Sequence, residues 1–258
     1  MKPVVLLLST YPFVVPQHGG QIRLANIAKV YQANGWSLAS LAVCSSNSYP
    51  KKSLGSNDLI MPDDAKWKKF NGRLLPLIDD ILVGRYAVSD DGFQKIIKKL
   101  PSHLDVIHVE QPWLWELAKR IREHKLYKNA KLIYGSQNIE APLKRDILLN
   151  YVQENVDDAL ERISSLEQRT AQEADLCFAV TEADRQILLQ LGAQKVLLAP
   201  NGIEPWTTTP DSLGQWKRKL PSAPWILYVA SAHPPNFTGF INVVGESLAF
   251  IPPDSRLV

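Results

Sequence analysis

An α/β fold built on a doubly wound parallel sheet is what this chain of 258 residues predicts. Three observations carry that expectation. Apolar runs of four to eight residues recur along the chain: "PVVLLLS", "SLASLAVCS", "LDVIHVE", "AKLIYGS", "DLCFAV" and "KVLLAP". They are apolar throughout rather than alternating, as strands buried on both faces are. Helical periodicities separate them, which places helices on both sides of a parallel sheet.

The first strand is "PVVLLLS". Its apolar core, Val4 to Leu8, is too short for a secretory leader, and no small-residue cleavage site follows. No stretch reaches the ~18 apolar residues of a membrane span. The first helix is "GQIRLANIAKVYQANG", with Ile22, Ala25, Ile27, Val30 and Tyr31 at mixed three- and four-residue spacings and Gly35 as its C-terminal stop. Further helices are expected over roughly 92–100, 113–126, 142–173 and 182–191. Thr181 with Asp184 is a start signal for the last. Residues 46–90, broken by Pro50, Gly55, Pro62, Gly72 and Pro76, read either as an excursion or as one or two strands.

After Pro200 the pattern breaks. Residues 1–203 read as one domain, 204–222 as a turn-rich linker, and 223–258 as the start of a second α/β domain: strand, turn, helix, and "SRLV" as the opening of another strand.

Charge and cysteines narrow the function. A net charge of +3 with a pI near 8.7 is too mild to argue for nucleic acid. Cys44 and Cys177 both lie in apolar runs, which fits a reducing cytoplasm and neither a disulfide scaffold nor a metal site. There is no G-x-G-x-x-G, and the second strand ends in "AVCSSNS" with no acidic residue for a ribose, so NAD is disfavoured. The absence of G-x-x-x-x-G-K-S/T sets aside a P-loop nucleotidase.

Gly19 and Gly20 stand between the first strand and the first helix, at the carboxyl edge where doubly wound sheets bind ligands. Two readings stand side by side. The turn needs glycine for its dihedrals, or the bare backbone lets a phosphate approach the helix N-terminus.

The order of several motifs resembles the GT-B glycosyltransferases, in particular the retaining family 4. They are "PQHGGQIRLANIAKVYQANGW", "VIHVEQPWL", "YGSQNIE", "LEQRTAQEADLCFAVTEADRQILLQLGAQKVLLAPNGIE" and "ILYVASAHPPNFTGF". The resemblance implies a Rossmann-like GT-B N-terminal domain on the acceptor side and an incomplete second Rossmann-like domain on the donor side. It implies transfer of a sugar from a nucleotide-diphosphate sugar to an acceptor hydroxyl with retention, without metal or other cofactor. The acceptor would be a glycan, a lipid-linked molecule or a small molecule. Two alternatives remain: a non-catalytic acceptor-binding domain or pseudoenzyme subunit, and a GT-B nucleotide-sugar epimerase.

On that resemblance Gly19 and Gly20 meet the donor diphosphate. Arg23 either meets an anion or pairs with a carboxylate. His108 is the one catalytic candidate and, with Glu110, ends a strand at the cleft edge. Gln137, Asn138 and Glu140 are candidates for sugar contacts; relatives often carry histidine where Gln137 stands. Ser231, His233, Asn236 and Gly239 would form the first loop of the second domain. No Arg or Lys occurs between Lys219 and Arg256, and the acidic donor motif of the family is not found, so this chain alone is expected not to transfer sugar. "AKWKKFNGR", which places Lys66, Lys68, Lys69 and Arg73 around Trp67 and Phe70, is either a solvated surface or a peripheral contact with anionic lipid.

Overall fold

The computed structural model describes residues 2–45, 48–202, 207–222, 224–229, 234–245 and 251–258. The chain divides into two compact units, Met1–Asn201 and Gly202–Val258.

The first unit opens with β1 (Val4–Ser9), α1 (Gly19–Ala33), β2 (Ser37–Ser45) and β3 (Leu59–Met61). A short excursion follows: α2 (Ala65–Lys68) and a hairpin of β4 (Lys69–Phe70) and β5 (Arg73–Leu74). Asn71 and Gly72 make its turn, with φ of 47° and 82°. Positive φ at both central residues is what a two-residue hairpin requires. Next come α3 (Asp79–Val88), α4 (Asp90–Ile97), β6 (Val106–Glu110), α5 (Trp115–Glu123), β7 (Lys131–Gly135), α6 (Glu140–Tyr151), α7 (Asp157–Glu173), β8 (Leu176–Ala179), α8 (Glu182–Gln190) and β9 (Val196–Leu198).

Seven strands form one sheet in the order β3-β2-β1-β6-β7-β8-β9, with every pairing parallel. The order reverses between β1 and β6, so the topological switch point lies there, and ligands of such sheets bind beyond it. Both faces are covered. Leu6 and Leu8 of β1 pack into the large core with Ile81 of α3, Trp115 of α5 and Ile163 of α7. Leu7 faces the other way, onto Leu24 and Ala28 of α1. This is why β1 is apolar at consecutive positions: Val5 to Leu8 are fully buried, and each such side chain is worth ~1.5–3 kcal/mol on burial.

Helix ends follow the sequence signals. Gly35 lies just beyond α1 with φ of 81°, and Thr181 caps α8 by accepting from the Asp184 amide at 3.0 Å. One expectation is corrected. The helix expected over 142–173 is two helices, α6 and α7, broken at residues 152–156. There the Asn155 side chain accepts from the Asp157 amide at 2.9 Å, competing with helix continuation. Arg73 fixes the break from the hairpin, donating to the Asn155 carbonyl at 2.7 Å and pairing with Asp158 at 2.6 Å. Residues 46–90, read as an excursion or one or two strands, hold three short strands, β3 to β5, and also the helices α2 and α3. Ser89 ends α3 and starts α4, its hydroxyl donating to the Tyr86 carbonyl and accepting from the Gly92 amide.

Cys44 and Cys177 are free and buried; burial pushes their thiols up to about 11 and about 12. Among the described residues no helix is long and apolar enough to cross a membrane.

In the second unit, α9 (Pro210–Lys219) occupies the span read as a linker. It is followed by β10 (Trp225–Ile226), α10 (Pro234–Val244) and β11 (Arg256–Leu257). The last strand pairs parallel to β10, in a sheet separate from that of the first unit.

Candidate functional site

At the carboxyl edge of the sheet, three side chains, from α1, β6 and the segment after β7, converge on one carboxylate. Glu110, the last residue of β6, is 1% exposed. It accepts from Arg23 Nε at 3.3 Å, from Gln137 Nε2 at 2.8 Å, and lies 3.1 Å from His108 Nε2. A buried carboxylate is tolerated when it is paired and hydrogen-bonded in this way. Gly135, its neighbour on β7, makes the room. A Cβ there would fall on Glu110 Oε1, and would stand 2.8 Å from His108 Nε2.

Arg23 lies one turn into α1 and is almost fully buried. Its Nη1 donates to the Ala199 carbonyl at 2.8 Å and to Asn201 Oδ1 at 3.0 Å, so it ties the start of α1 to the segment leaving β9. Its Nη2 is buried and has no hydrogen-bond partner among the described residues. The two resemblance readings of Arg23 thus meet: it pairs with a carboxylate, but a buried one, and keeps one nitrogen open.

His108 is 1% exposed and sits below the edge rather than on it. Tyr31 of α1 engages its Nδ1 at 3.1 Å while Glu110 holds Nε2, and the rings of Tyr31 and Phe178 pack around it. Burial first, then the Glu110 charge, pushes the Tyr31 phenol up to about 12, and the same causes in the same order raise Tyr11 further. Both phenols are therefore neutral hydroxyls at ordinary pH.

Gln137 follows β7 and shares its amide between two acceptors, Glu110 Oε2 and the Tyr11 hydroxyl at 2.5 Å. Tyr11 in turn sits against Gly20. A Cβ at Gly20 would meet the Tyr11 hydroxyl at 2.6 Å and Gln137 Oε1 at 3.0 Å. Neither Gly19 nor Gly20 has positive φ, so the dihedral reading of the pair does not hold; at Gly20 the observation is close approach, since a Cβ would oblige Tyr11 or Gln137 to shift. At Gly19 the space is open. The intervening loop is pinned by Gln21, buried, which accepts from the Gln17 amide at 2.7 Å and donates to the Pro12 carbonyl at 2.6 Å.

A second polar layer adjoins this one. Glu140 opens α6, is buried, and accepts from Gln111 Nε2 at 3.0 Å. Gln111 holds a φ of 66°, a left-handed conformation uncommon for its type and frequent at functional sites. Burial, reinforced by the nearby Asp80 charge, pushes the Glu140 carboxyl up to about 7. Glu167 of α7 accepts from the Glu140 and Ala141 amides at 2.6 and 2.8 Å, capping α6 where Ile139 has no side chain to do so.

Of the residues predicted from sequence, Arg23, His108, Glu110 and Gln137 form one hydrogen-bonded group, with Gly20 packed against it. Glu140 belongs to the adjoining layer, and Asn138 is exposed at the rim. Asn236 and Gly239 lie on α10 of the second unit, where the Tyr228 hydroxyl donates to the Asn236 carbonyl at 2.8 Å. Ser231 and His233 lie outside the described residues. Sequence reading missed Tyr11, Tyr31, Gln111, Glu167 and Asn201. In the basic stretch Lys66 lies 3.9 Å from Asp64, Lys68 pairs with Asp63 and Arg73 with Asp158, so much of its charge is neutralised.

No protein-family model matches this chain, and no curated protein matches its sequence. Solved structures do resemble it. A sucrose-phosphate synthase from Thermosynechococcus elongatus matches over 99% of this chain and 61% of its own, with a TM-score of 0.70 and 15% identity. The catalytic domain of starch synthase IV from Arabidopsis thaliana, bound to ADP and acarbose, matches over 100% of this chain and 68% of its own, with a TM-score of 0.59 and 11% identity. The chain thus spans less than two thirds of the length of the first. At these identities the likeness is one of fold: the seven-stranded unit is a Rossmann-like GT-B domain.

Proposed function

We propose that this chain serves a glycosyltransferase that moves a sugar from a nucleotide-diphosphate sugar to an acceptor hydroxyl with retention, the sheet unit forming the acceptor side of the site. The observation that carries this reading is Arg23 Nη2, buried and without a partner among the described residues, one turn inside a helix whose first residues are glycines. A buried polar group without a partner needs an explanation. An anion at the N-terminus of α1 supplies one, because the helix amides and the guanidinium both favour negative charge.

The residues divide the work. Gly19 leaves the approach to the first amides open, and Gly20 lets Tyr11 and Gln137 close against the helix. Arg23 is held by Glu110, Ala199 and Asn201, so it need not reorganise as charge grows on the departing diphosphate. His108, enclosed between Tyr31 and Glu110, positions Glu110; the acceptor proton goes to a leaving-group oxygen. The ADP of the starch synthase structure supports a nucleotide as the ligand of this fold. The reaction needs neither a metal nor a further cofactor in this proposal.

The test is calorimetric titration of the chain with a panel of nucleotide sugars, beside a radiolabelled transfer assay. Binding that Arg23→Met weakens at least tenfold supports the reading. One observation favours the non-catalytic alternative: the span between Lys219 and Arg256 holds no cation to neutralise a diphosphate. Nucleotide-sugar binding without transfer would select that alternative, and no binding at all would remove the proposal.

A further inference from the structure

The excursion between β2 and α4 encloses a cavity of about 440 Å3. That lies within the ~300–1,000 Å3 of small-molecule sites. Its floor is Met61, Leu75 and Leu82, all buried. Ser45, at the carboxyl end of β2, and Ser48 contribute hydroxyls that bond each other at 2.5 Å; Leu74, 65% exposed, and Asp79 also line the space. Asp79 opens α3, and its carboxylate has no partner among the described residues. Asp63 and Lys68 also border the space, but they are paired with each other.

We propose that this cavity binds the acceptor, and that the acceptor is an uncharged sugar bearing an apolar substituent rather than a phosphorylated sugar. The inference rests on the transferase reading and adds to it the place and chemistry of the second substrate. Location is the first support. The cavity opens at the carboxyl ends of β2 and β3, on the edge that also carries Arg23 and Glu110. In the sheet order β3 stands three strands from β6, whose last residue, Glu110, holds Arg23, and strands lie ~4.8 Å apart, so a molecule there is roughly 14 Å along the edge from that group and is not the diphosphate. Lining chemistry is the second. Once Asp63 and Lys68 cancel, the remaining charge is the Asp79 carboxylate. It accepts hydrogen bonds from sugar hydroxyls and repels a phosphate. The Ser45–Ser48 pair keeps one hydroxyl proton and its remaining lone pairs for the same groups, and the apolar floor has no counterpart in a bare polyol.

Saturation-transfer difference NMR on the full chain tests this with hexyl β-D-glucoside and glucose 6-phosphate as probes. Saturation is expected at both the alkyl and the ring protons of hexyl glucoside, with affinity at least tenfold above that for glucose 6-phosphate. Leu74→Glu, at an exposed position, should weaken hexyl glucoside at least fivefold. Leu126→Glu, at an exposed apolar residue on the opposite edge of the sheet, should leave it unchanged. Absent binding, equal loss in both variants, or preference for glucose 6-phosphate would overturn the inference. Nucleotide-sugar titration of the same samples keeps the two proposals apart. Donor binding with no glucoside binding removes this site alone, whereas glucoside binding with no donor binding leaves a glycoside site and removes the transferase reading.

Discussion

Replacing Glu110 by glutamine keeps its shape and removes its charge. In the native chain this carboxylate is fully buried, with Arg23 Nε at 3.3 Å, Gln137 Nε2 at 2.8 Å and His108 Nε2 at 3.1 Å. The glutamine oxygen still accepts from Arg23 and Gln137, and its amide donates to His108 once that ring moves its proton to Nδ1. What is lost is the countercharge of Arg23, which remains 6% exposed at its side chain. Removing one member of a buried pair costs ~3–5 kcal/mol. For a unit near 200 residues, each kcal/mol lowers Tm by roughly 2–4 °C. The melting transition of the sheet unit should therefore fall by about 6–20 °C. Arg23→Met alone should fall as well, leaving Glu110 unpaired. The double variant should recover part of the loss, because an apolar replacement leaves no orphaned charge. Differential scanning calorimetry of the four proteins closes the cycle. A fall below about 3 °C in Glu110→Gln, or additive losses in the double variant, would refute the assignment of Glu110 as the countercharge of Arg23.

Three further outcomes follow from the same geometry. Gly20→Val should displace Tyr11 and Gln137, costing ~1–3 kcal/mol by overpacking and weakening nucleotide-sugar binding, read by melting and titration together; unchanged values in both would mean the close approach is dispensable. Glu140→Gln should gain on the native chain as pH rises: a carboxyl raised from 4.5 to about 7 by burial stabilises the fold below pH 4.5 and loses that contribution through pH 7, ~3 kcal/mol in all. Parallel stability curves for the two proteins between pH 4 and 8 would contradict this. Glu167→Ala should cost ~0.5–2 kcal/mol by uncapping α6, with hydrogen exchange of the Glu140 and Ala141 amides rising ahead of the rest of the helix.

The sheet was legible because a strand buried on both faces has no alternation to conceal it: β1, β6 and β7 stand out as apolar runs. The hairpin turn was also present in the letters, as Asn71-Gly72, but the flanking strands are two residues each, too short to announce it. The break between α6 and α7 was not readable. It depends on Arg73, 82 residues away, reaching the Asn155 carbonyl. The helix α3 hides for a similar reason. Six of its ten residues are buried, so its polar face is too narrow to mark a period. At the site, motif order singled out Gly20, Arg23, Glu110 and Gln137. Tyr11, Tyr31 and Asn201 became visible only when the sheet order placed the ends of β1 and β6 side by side and the segment leaving β9 met Arg23. Glu167 lay within a quoted motif, yet nothing in spacing says that its carboxylate caps a different helix.

The buried group around Glu110 is costly as a way of holding the fold together. Apolar side chains of similar volume would pack the same space, and a buried ion pair commonly does no better than break even against them. Its geometry also exceeds what stability requires: Arg23 is held by Glu110, Ala199 and Asn201 at once, while Nη2 stays buried and unpaired among the described residues. A guanidinium anchored for packing alone would turn its last donor toward an acceptor or toward water. One anchored so that its last donor is available loses little on receiving an anion, since neither the side chain nor its partners must rearrange. Gly20 and Gly135 fit the same account. Each gives up a side chain to admit a polar atom, Tyr11 oxygen in one case and Glu110 oxygen in the other, and helix and strand interiors lose roughly 0.5–1 kcal/mol at glycine relative to alanine. These local costs fall at the switch point of the sheet and converge on Arg23, the cation that the transferase reading assigns to the diphosphate.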